Sequence, residues 1–327
     1  MTTGEPSVGA GAPSRLDARL HSITQEAEGI FLLDIRPMRG EHFPHVEAGA
    51  HVDLHLANGL SRSYSIVNSP DDRDRYLVAV KNELSGRGGS RFIHTELRVG
   101  QRLSIGAPRN NFRLHEAAAH SVFIAGGIGI TPLYSMIQRM EQLGRSWELH
   151  YAAADWEQAA FVSKLERLQP KTQFYFGLDR VTQRPLDLQQ LVQHSRHDAD
   201  FYCCGPGGML QAFEAATASI PAERVHAEYF SARDEAAVEG GFEVVLQRSG
   251  QRFAIQHGET ILDALIKRGV DVPYSCMEGV CGSCQVRVLE GVPDHRDLIL
   301  SKEERAAGDR MLVCCSGSKS AKLVLDL

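Results

Sequence analysis

A basic excess, a long apolar run and widely spread pairs of cysteines are all missing from this 327-residue chain. Each absence removes a class of function. A surface that tracks nucleic-acid phosphates needs surplus Lys and Arg, whereas the formal net charge is -6, so no nucleic-acid partner is expected. No uninterrupted apolar stretch approaches the roughly 18–20 residues that cross a bilayer, so no membrane is expected either. Met1 to Ser14 are rich in Gly, Ser, Thr, Pro and Ala and lack the basic start and apolar stretch of a secretory signal. They read as a flexible tail, 1–14, and a cytoplasmic location follows as the default. Of the seven cysteines, five lie between positions 276 and 315, which is no disulfide framework. That clustering points to a metal centre, while Cys203 and Cys204 fall in an apolar run and read as reduced and buried.

What remains is a composition of 43% hydrophobic and 23% charged residues, suited to a soluble globular chain of two or three domains. Over residues 15–112 the pattern is short and strand-like. Val52, Leu54 and Leu56 alternate up to Asn58-Gly59, then Tyr64 and Ile66 follow, then Leu77 to Val80, which predicts an antiparallel barrel. One helix interrupts it near Gly89-Ser90, with Phe92, Ile93 and Leu97 on one side. Over residues 113–230 strands at Ser121–Ala125, Glu148–Ala152, Thr172–Phe176 and Asp200–Cys204 alternate with helices, one of which starts at Thr131 with Pro132 in its first turn. Such alternation predicts an α/β domain built on a parallel sheet. Residues 231–241 are small and polar and end in Gly-Gly, as a linker does. Residues 242–327 then form a third domain. It opens with strands at Glu243–Gln247 and Arg252–Gln256 and a helix at Thr260–Arg268 whose Ile261, Leu262, Leu265 and Ile266 face inward. A cysteine loop and a last strand, Lys322–Leu327, complete it.

In that loop the spacing is Cys276-x4-Cys281-x2-Cys284, with Cys314 far downstream. C-x4-C-x2-C followed by a distant cysteine is the spacing of a plant-type 2Fe-2S cluster. Four thiolates must converge on two irons, and a tight loop delivers three of them. Gly279 and Gly282 let the loop curl and bring backbone amides close to the sulfides. Four cysteines also make a structural zinc site, but zinc sites usually pair two short knuckles instead of taking three ligands from one loop. Cys315 competes with Cys314 for the fourth position, and in an extended segment only one of two neighbours points inward.

Upstream, Gly126-Gly127-Ile128-Gly129-Ile130-Thr131-Pro132 follows a strand and opens a helix, the setting in which glycines bring a pyrophosphate to a helix N-terminus. Cys204-Gly205-Pro206-Gly207-Gly208 ends a later strand, where a cysteine can reach a nicotinamide. A plain turn is the alternative for each motif, but two glycine loops at strand ends favour a nucleotide crevice. In the first domain Arg62-Ser63-Tyr64-Ser65 sets a cation, an aromatic face and hydroxyls on one strand. Gly86-Arg87-Gly88-Gly89-Ser90 then leads into a helix whose free amides suit a phosphate. The pair suits a flavin ring and its phosphate.

In this order, the R-x-Y-S and G-R-G-G-S motifs, G-G-I-G-I-T-P, C-G-P-G and the C-terminal plant-type cysteine motif resemble the phthalate dioxygenase reductase family, which includes the vanillate O-demethylase reductases. The resemblance implies FMN and NADH, a C-terminal ferredoxin domain of β-grasp type and a Rieske-type terminal oxygenase as electron acceptor. It implies that Arg62, Ser63, Tyr64 and Ser65 line the flavin, with Val80 and Lys81 along its edge. Gly88, Gly89 and Ser90 would take the phosphate, Thr131 would approach the flavin and Phe230 would lie over its face. The family spacing favours Cys314 over Cys315. Two positions depart from the family pattern. Tyr151-Ala152-Ala153-Ala154-Asp155 replaces a Y-x-x-R run, and an acid at Asp155 suits a ribose 2'-hydroxyl and repels a 2'-phosphate, unless it merely caps the next helix. Cys314-Cys315-Ser316-Gly317 replaces C-V-S-R beside the cluster. No acid-base dyad is expected, because hydride and electron transfer belong to the cofactors. The expected function is passage of electrons from NADH through FMN and a 2Fe-2S cluster to an oxygenase acting on an aromatic acid or similar small compound. A haem monooxygenase as partner, or a non-catalytic electron carrier, is the alternative.

Overall fold

A computed structural model describes residues 15–38, 42–177, 186–232 and 235–327. The tail expected at Met1 to Ser14 lies outside the described residues, as do two residues of the expected linker.

The first sheet is built from β1 (Arg15–Ala27), β2 (Ile30–Pro37), β3 (His51–His55), β4 (Ser61–Ser65), β5 (Tyr76–Lys81) and β6 (Arg102–Gly106), with helix α1 (Gly89–Glu96) between the last two. Its order is β4-β3-β6-β1-β2-β5, and every described pairing is antiparallel. The sheet curls so that its edges meet at an Ile66–Val78 bridge, beside which the Val67 N–H donates to the Leu77 carbonyl at 2.9 Å. At Asn58-Gly59 the chain reverses as expected, with Gly59 at φ 82°, a left-handed conformation that favours glycine. Strand β3 departs from simple alternation, since His51, Val52, Asp53 and Leu54 are all buried. Val52 and Leu54 enter the sheet's own core, while the second face, carrying His51 and Asp53, is covered by the cysteine loop of the third domain.

The second sheet is wholly parallel, in the order β11-β10-β7-β8-β9. Its strands are β7 (His120–Gly126), β8 (Trp147–Ala153), β9 (Thr172–Phe176), β10 (Ala199–Cys204) and β11 (Val225–Glu228). The helices between them are α2 (Ile130–Gln142), α3 (Val162–Leu165), α4 (Leu188–His194) and α5 (Gly207–Ala216). Strands β7 and β10 are buried along their whole length, as a sheet covered on both faces requires. The strand order runs one way from β7 through β8 to β9 and the other way through β10 to β11. The crevice between the carboxyl ends of β7 and β10 is therefore the topological switch point, where open α/β sheets bind ligands.

The third sheet has the order β13-β12-β18-β14-β16, with β12 and β18 parallel and the other pairs antiparallel. It comprises β12 (Glu243–Leu246), β13 (Arg252–Ala254), β14 (Gln285–Glu290), β16 (Arg310–Leu312) and β18 (Lys322–Leu325), with the short pair β15 (Pro293–Asp294) and β17 (Gly317–Ser318) beside it. Two helices complete it, α6 (Ile261–Lys267) and α7 (Lys302–Ala307). Thr260 and Asp263 exchange hydrogen bonds in a capping box that starts α6. Ile261, Leu262, Ala264 and Leu265 of this helix enter the domain core. Ile266 does not: it is 41% exposed, because it falls beyond the edge of the arc those four residues define at 3.6 residues per turn. No helix among the described residues is long and apolar enough to cross a membrane.

Candidate cofactor site

One cavity of about 420 Å³ is walled by all three sheets' domains. The first contributes Arg62, Ser63, Tyr64, Ser65, Lys81, Gly89 and Ser90, the second Thr131 and Phe230, the third Cys276 and Cys281. Strand alternation decides which of the expected edge residues faces the space. Lys81 and Ala79 line it, whereas the Val80 side chain is fully buried in the core of the first sheet.

Arg62 is held by its neighbours before any ligand arrives. Its guanidinium donates to the carbonyls of Ser61 at 2.7 Å and Arg87 at 2.9 Å. Gly89 lies so close that a Cβ there would sit 2.6 Å from Arg62 Cγ, so the glycine loop and the arginine pack as one unit. Gly88 at φ 82° supplies the left-handed turn that starts α1. Ser90 Oγ accepts from the Glu83 N–H at 3.1 Å. Burial pushes the Tyr64 phenol up, so it stays neutral as an aromatic wall.

Among the described residues, three enclosed polar groups on this cavity lack hydrogen-bond partners: Ser65 Oγ, both ring nitrogens of His51, and Glu228 Oε2. Buried polar atoms are normally paired, so a ligand with its own donors and acceptors suits the space, as a flavin ring does. Burial lowers the His51 pKa to about 4, with Arg109 adding to the effect, and the ring is neutral at pH 7. Burial pushes the Glu228 carboxyl the other way, up to about 8, so it keeps its proton and can donate. Phe230, 43% exposed, closes the cavity on the nucleotide side.

At the switch point the two glycine loops interlock. Cβ atoms added at Gly126 or Gly129 would strike Pro206 or the Cys204 carbonyl, and Gly205 lies against Gly126. Gly127, at φ 53°, turns the chain between them. Cys204 is fully buried and its thiol is pushed well up by burial, with Glu228 opposite it in the paired strand. Asp155 lies just past the carboxyl end of β8, and its Oδ1 accepts from the Trp156 N–H at 2.8 Å. It does not cap the next helix, whose N-cap is Phe161.

Cys276, Cys281, Cys284 and Cys314 are all buried. Their thiols approach in pairs, Cys276 with Cys281 and Cys284 with Cys314, and Cys276 also meets Cys314. Two pairs suit two irons, each taking two thiolates. Among the described residues, no three metal-binding side chains gather on a point suited to a single ion. Cys315 points elsewhere: its Sγ packs against Gly279 and reaches the Leu312 carbonyl at 3.8 Å. Loop amides turn toward the sulfurs, as where the Glu278 N–H donates to Cys276 Sγ at 3.3 Å.

Asn111, Asp53, Ser275 and Ser283, which carry no sequence motif, join Arg87 and Ser63 of the expected flavin motifs in tying the cysteine loop to the first domain. Arg87 donates to the Cys276 carbonyl at 2.5 Å and pairs with Glu278 at 3.0 Å. Asn111 donates to the Cys281 carbonyl at 3.1 Å. Asp53, which is buried, meets Ser63 and Ser283, and Ser63 meets Ser275. No spacing rule marks such contacts, because the residues of the cysteine loop lie in a different domain from the residues they meet.

Comparison with known proteins agrees with this geometry. Residues 123–215 match the oxidoreductase NAD-binding domain and residues 244–318 the 2Fe-2S iron-sulfur cluster binding domain. The chain is 48% identical to phenoxybenzoate dioxygenase subunit beta of Ectopseudomonas oleovorans, over 97% of this chain and 99% of that one. It is also 48% identical to tetrachlorobenzoquinone reductase of Sphingobium chlorophenolicum, over 96% and 98%. Among solved structures it is similar to phthalate dioxygenase reductase, at 35% identity and a TM-score of 0.73 over 96% of this chain and 98% of that one. It also matches an intact type IV self-sufficient cytochrome P450 monooxygenase, at 38% identity and a TM-score of 0.85, with 99% of this chain covering 43% of that larger one. The protein is an oxidoreductase that uses NADH, FMN and a 2Fe-2S cluster. Its flavin, nucleotide and ferredoxin parts in that order make it a member of the phthalate dioxygenase reductase family.

Proposed function

We propose that the chain is the reductase component of a Rieske-type oxygenase system whose terminal oxygenase acts on an aromatic acid or similar small compound. The observation that carries this reading is the single cavity shared by the flavin-side strand, the nucleotide-side segment and the first two cysteines of the loop. The dioxygenase named in the relative 48% identical to this chain supports an oxygenase as the acceptor.

When bound, FMN supplies the exchange between a two-electron hydride and the single electrons that a 2Fe-2S cluster takes up. The chain's own residues bind and orient. Arg62, Ser63, Tyr64 and Ser65 hold the flavin ring and ribityl chain, with Lys81 and the backbone of Val80 along the edge. Gly88, Gly89 and Ser90 receive the phosphate at the start of α1. Thr131 and Phe230 close the nucleotide side. Gly126, Gly127 and Gly129 admit the pyrophosphate of NADH, and Cys204, Gly205 and Pro206 border its nicotinamide. Asp155 meets the ribose 2'-hydroxyl and disfavours NADPH. Cys276, Cys281, Cys284 and Cys314 ligate the irons. The working division is 15–112, 113–230, the 231–241 linker and 242–327.

A second reading replaces the partner by a haem monooxygenase, and the likeness to a self-sufficient cytochrome P450 favours it. The test is to purify the chain, expected to be red-brown with about one flavin and two irons, and to reconstitute NADH-dependent turnover. Rieske oxygenases, haem monooxygenases and a free quinone are supplied in turn as acceptor. A colourless, zinc-containing protein overturns the assignment, and turnover only with the haem enzyme or the quinone overturns the Rieske partner.

A further inference from the structure

The Asp53 side chain is 5% exposed and sits where the first sheet meets the cysteine loop. Its Oδ2 accepts from Arg109 Nη2 at 2.8 Å and from Ser283 Oγ at 3.3 Å, while its Oδ1 accepts from Ser63 Oγ at 2.6 Å. Ser63 Oγ lies 3.2 Å from Ser275 Oγ in the third domain. Both serines adjoin ligands, since Ser275 precedes Cys276 and Ser283 precedes Cys284. Ser283 Oγ is also 3.2 Å from Cys281 Sγ. A carboxylate buried away from water is strongly unfavourable unless charged and hydrogen-bonding partners surround it. Here Arg109 and Ser63 come from the first domain and Ser283 from the third, so the carboxylate is held ready by its own domain and the docked cysteine loop adds a further donor to it.

We propose that Asp53 is a positioning residue, a buried pin that holds the cysteine loop against the wall of the flavin cavity and thereby fixes the flavin-to-cluster distance. The inference rests on the flavin and cluster placements proposed above. Nothing in it touches the nucleotide side of the cavity, which Thr131, Glu228 and Phe230 line. The pin differs from the Arg87 contact, which holds the backbone of Cys276 from the glycine loop. Asp53 instead reaches Ser283, inside the three-ligand run, directly and Ser275, just before it, through Ser63.

The experiment uses the full chain loaded with FMN and iron. Cofactor content and NADH reduction of the flavin in the parent are measured first, and failure there overturns the cofactor placements, not the pin. In Asp53→Asn, rapid-mixing kinetics should show flavin reduction by NADH at the parental rate and flavin-to-cluster transfer about 10–100-fold slower, the usual effect of losing an outer-shell partner. Hydrogen exchange of the amides in 276–284 should quicken. Ser275→Ala, a milder change, should shift both readouts in the same direction and carries the test if Asp53→Asn does not fold. Adding Ser283→Ala to Asp53→Asn should slow transfer by less than the two single effects combined, because the Asp53–Ser283 contact is common to both. Parental transfer and exchange in the single variants, or full additivity in the double variant, overturns the pin.

Discussion

Gly129 lies in the turn after β7 and Cys204 ends β10, yet the two are so close that a methyl group on Gly129 would strike the Cys204 carbonyl. The contact locks together the carboxyl ends of β7 and β10, the two strands between which the sheet order reverses. Gly129→Ala must therefore push backbone against backbone. It should destabilise the chain by about 1–3 kcal/mol, the usual effect of overpacking, and raise the KM for NADH. Thermal melting and steady-state kinetics check both, and an unchanged melting point and KM would show that the loops give way freely.

Cys281→Ser removes a thiol from the Cys276–Cys281 pair. The variant should lose cluster-dependent electron transfer and the visible absorption of the cluster while NADH still reduces the flavin. Loss of both activities would mean that the cysteines serve the fold alone.

Glu228 gives a pH dependence with a definite sign. Its folded value of about 8 lies above the ordinary 4.5, so folding favours the protonated form. That contribution to stability is complete below about 4.5 and is lost as the pH rises through about 8. Glutamine stays neutral throughout. The flavin-depleted Glu228→Gln chain should melt near the parent at about pH 5 and above it at about pH 9, and a constant difference across that range would rule out the shift.

Asp155 should select against a 2'-phosphate. Two like charges about 4 Å apart in water repel by roughly 1 kcal/mol. Asp155→Ser should therefore raise the ratio of kcat/KM for NADPH over NADH roughly fivefold. A ratio that does not move, measured with either nucleotide in turn, removes Asp155 from nucleotide choice.

Much of the candidate site's lining was legible because its signals are local. The Cys276–Cys281–Cys284 spacing, the glycines before α2 and the run Arg62 to Ser65 each lie within one turn or one strand. Helix α6 shows how far such reading goes: Thr260 starts it as a cap and four apolar residues enter the core, but Ile266 stays outside because only the third dimension sets the width of the buried face. Strand β3 shows the limit more sharply. Alternation marks Val52 and Leu54 as inward and singles out neither His51 nor Asp53, whereas all four are buried.

The sequence by itself determined the cofactor chemistry and the order of the three parts, since ligand spacing and glycine turns act within a few residues of one another. Only the tertiary structure decided that those parts share one cavity, that Cys314 and not Cys315 turns toward the other thiols, and that Asp53 is buried between domains. Those outcomes depend on which surfaces are pressed together and lose water, and contacts between residues as far apart as Asp53 and Ser283 leave no mark in the spacing of either.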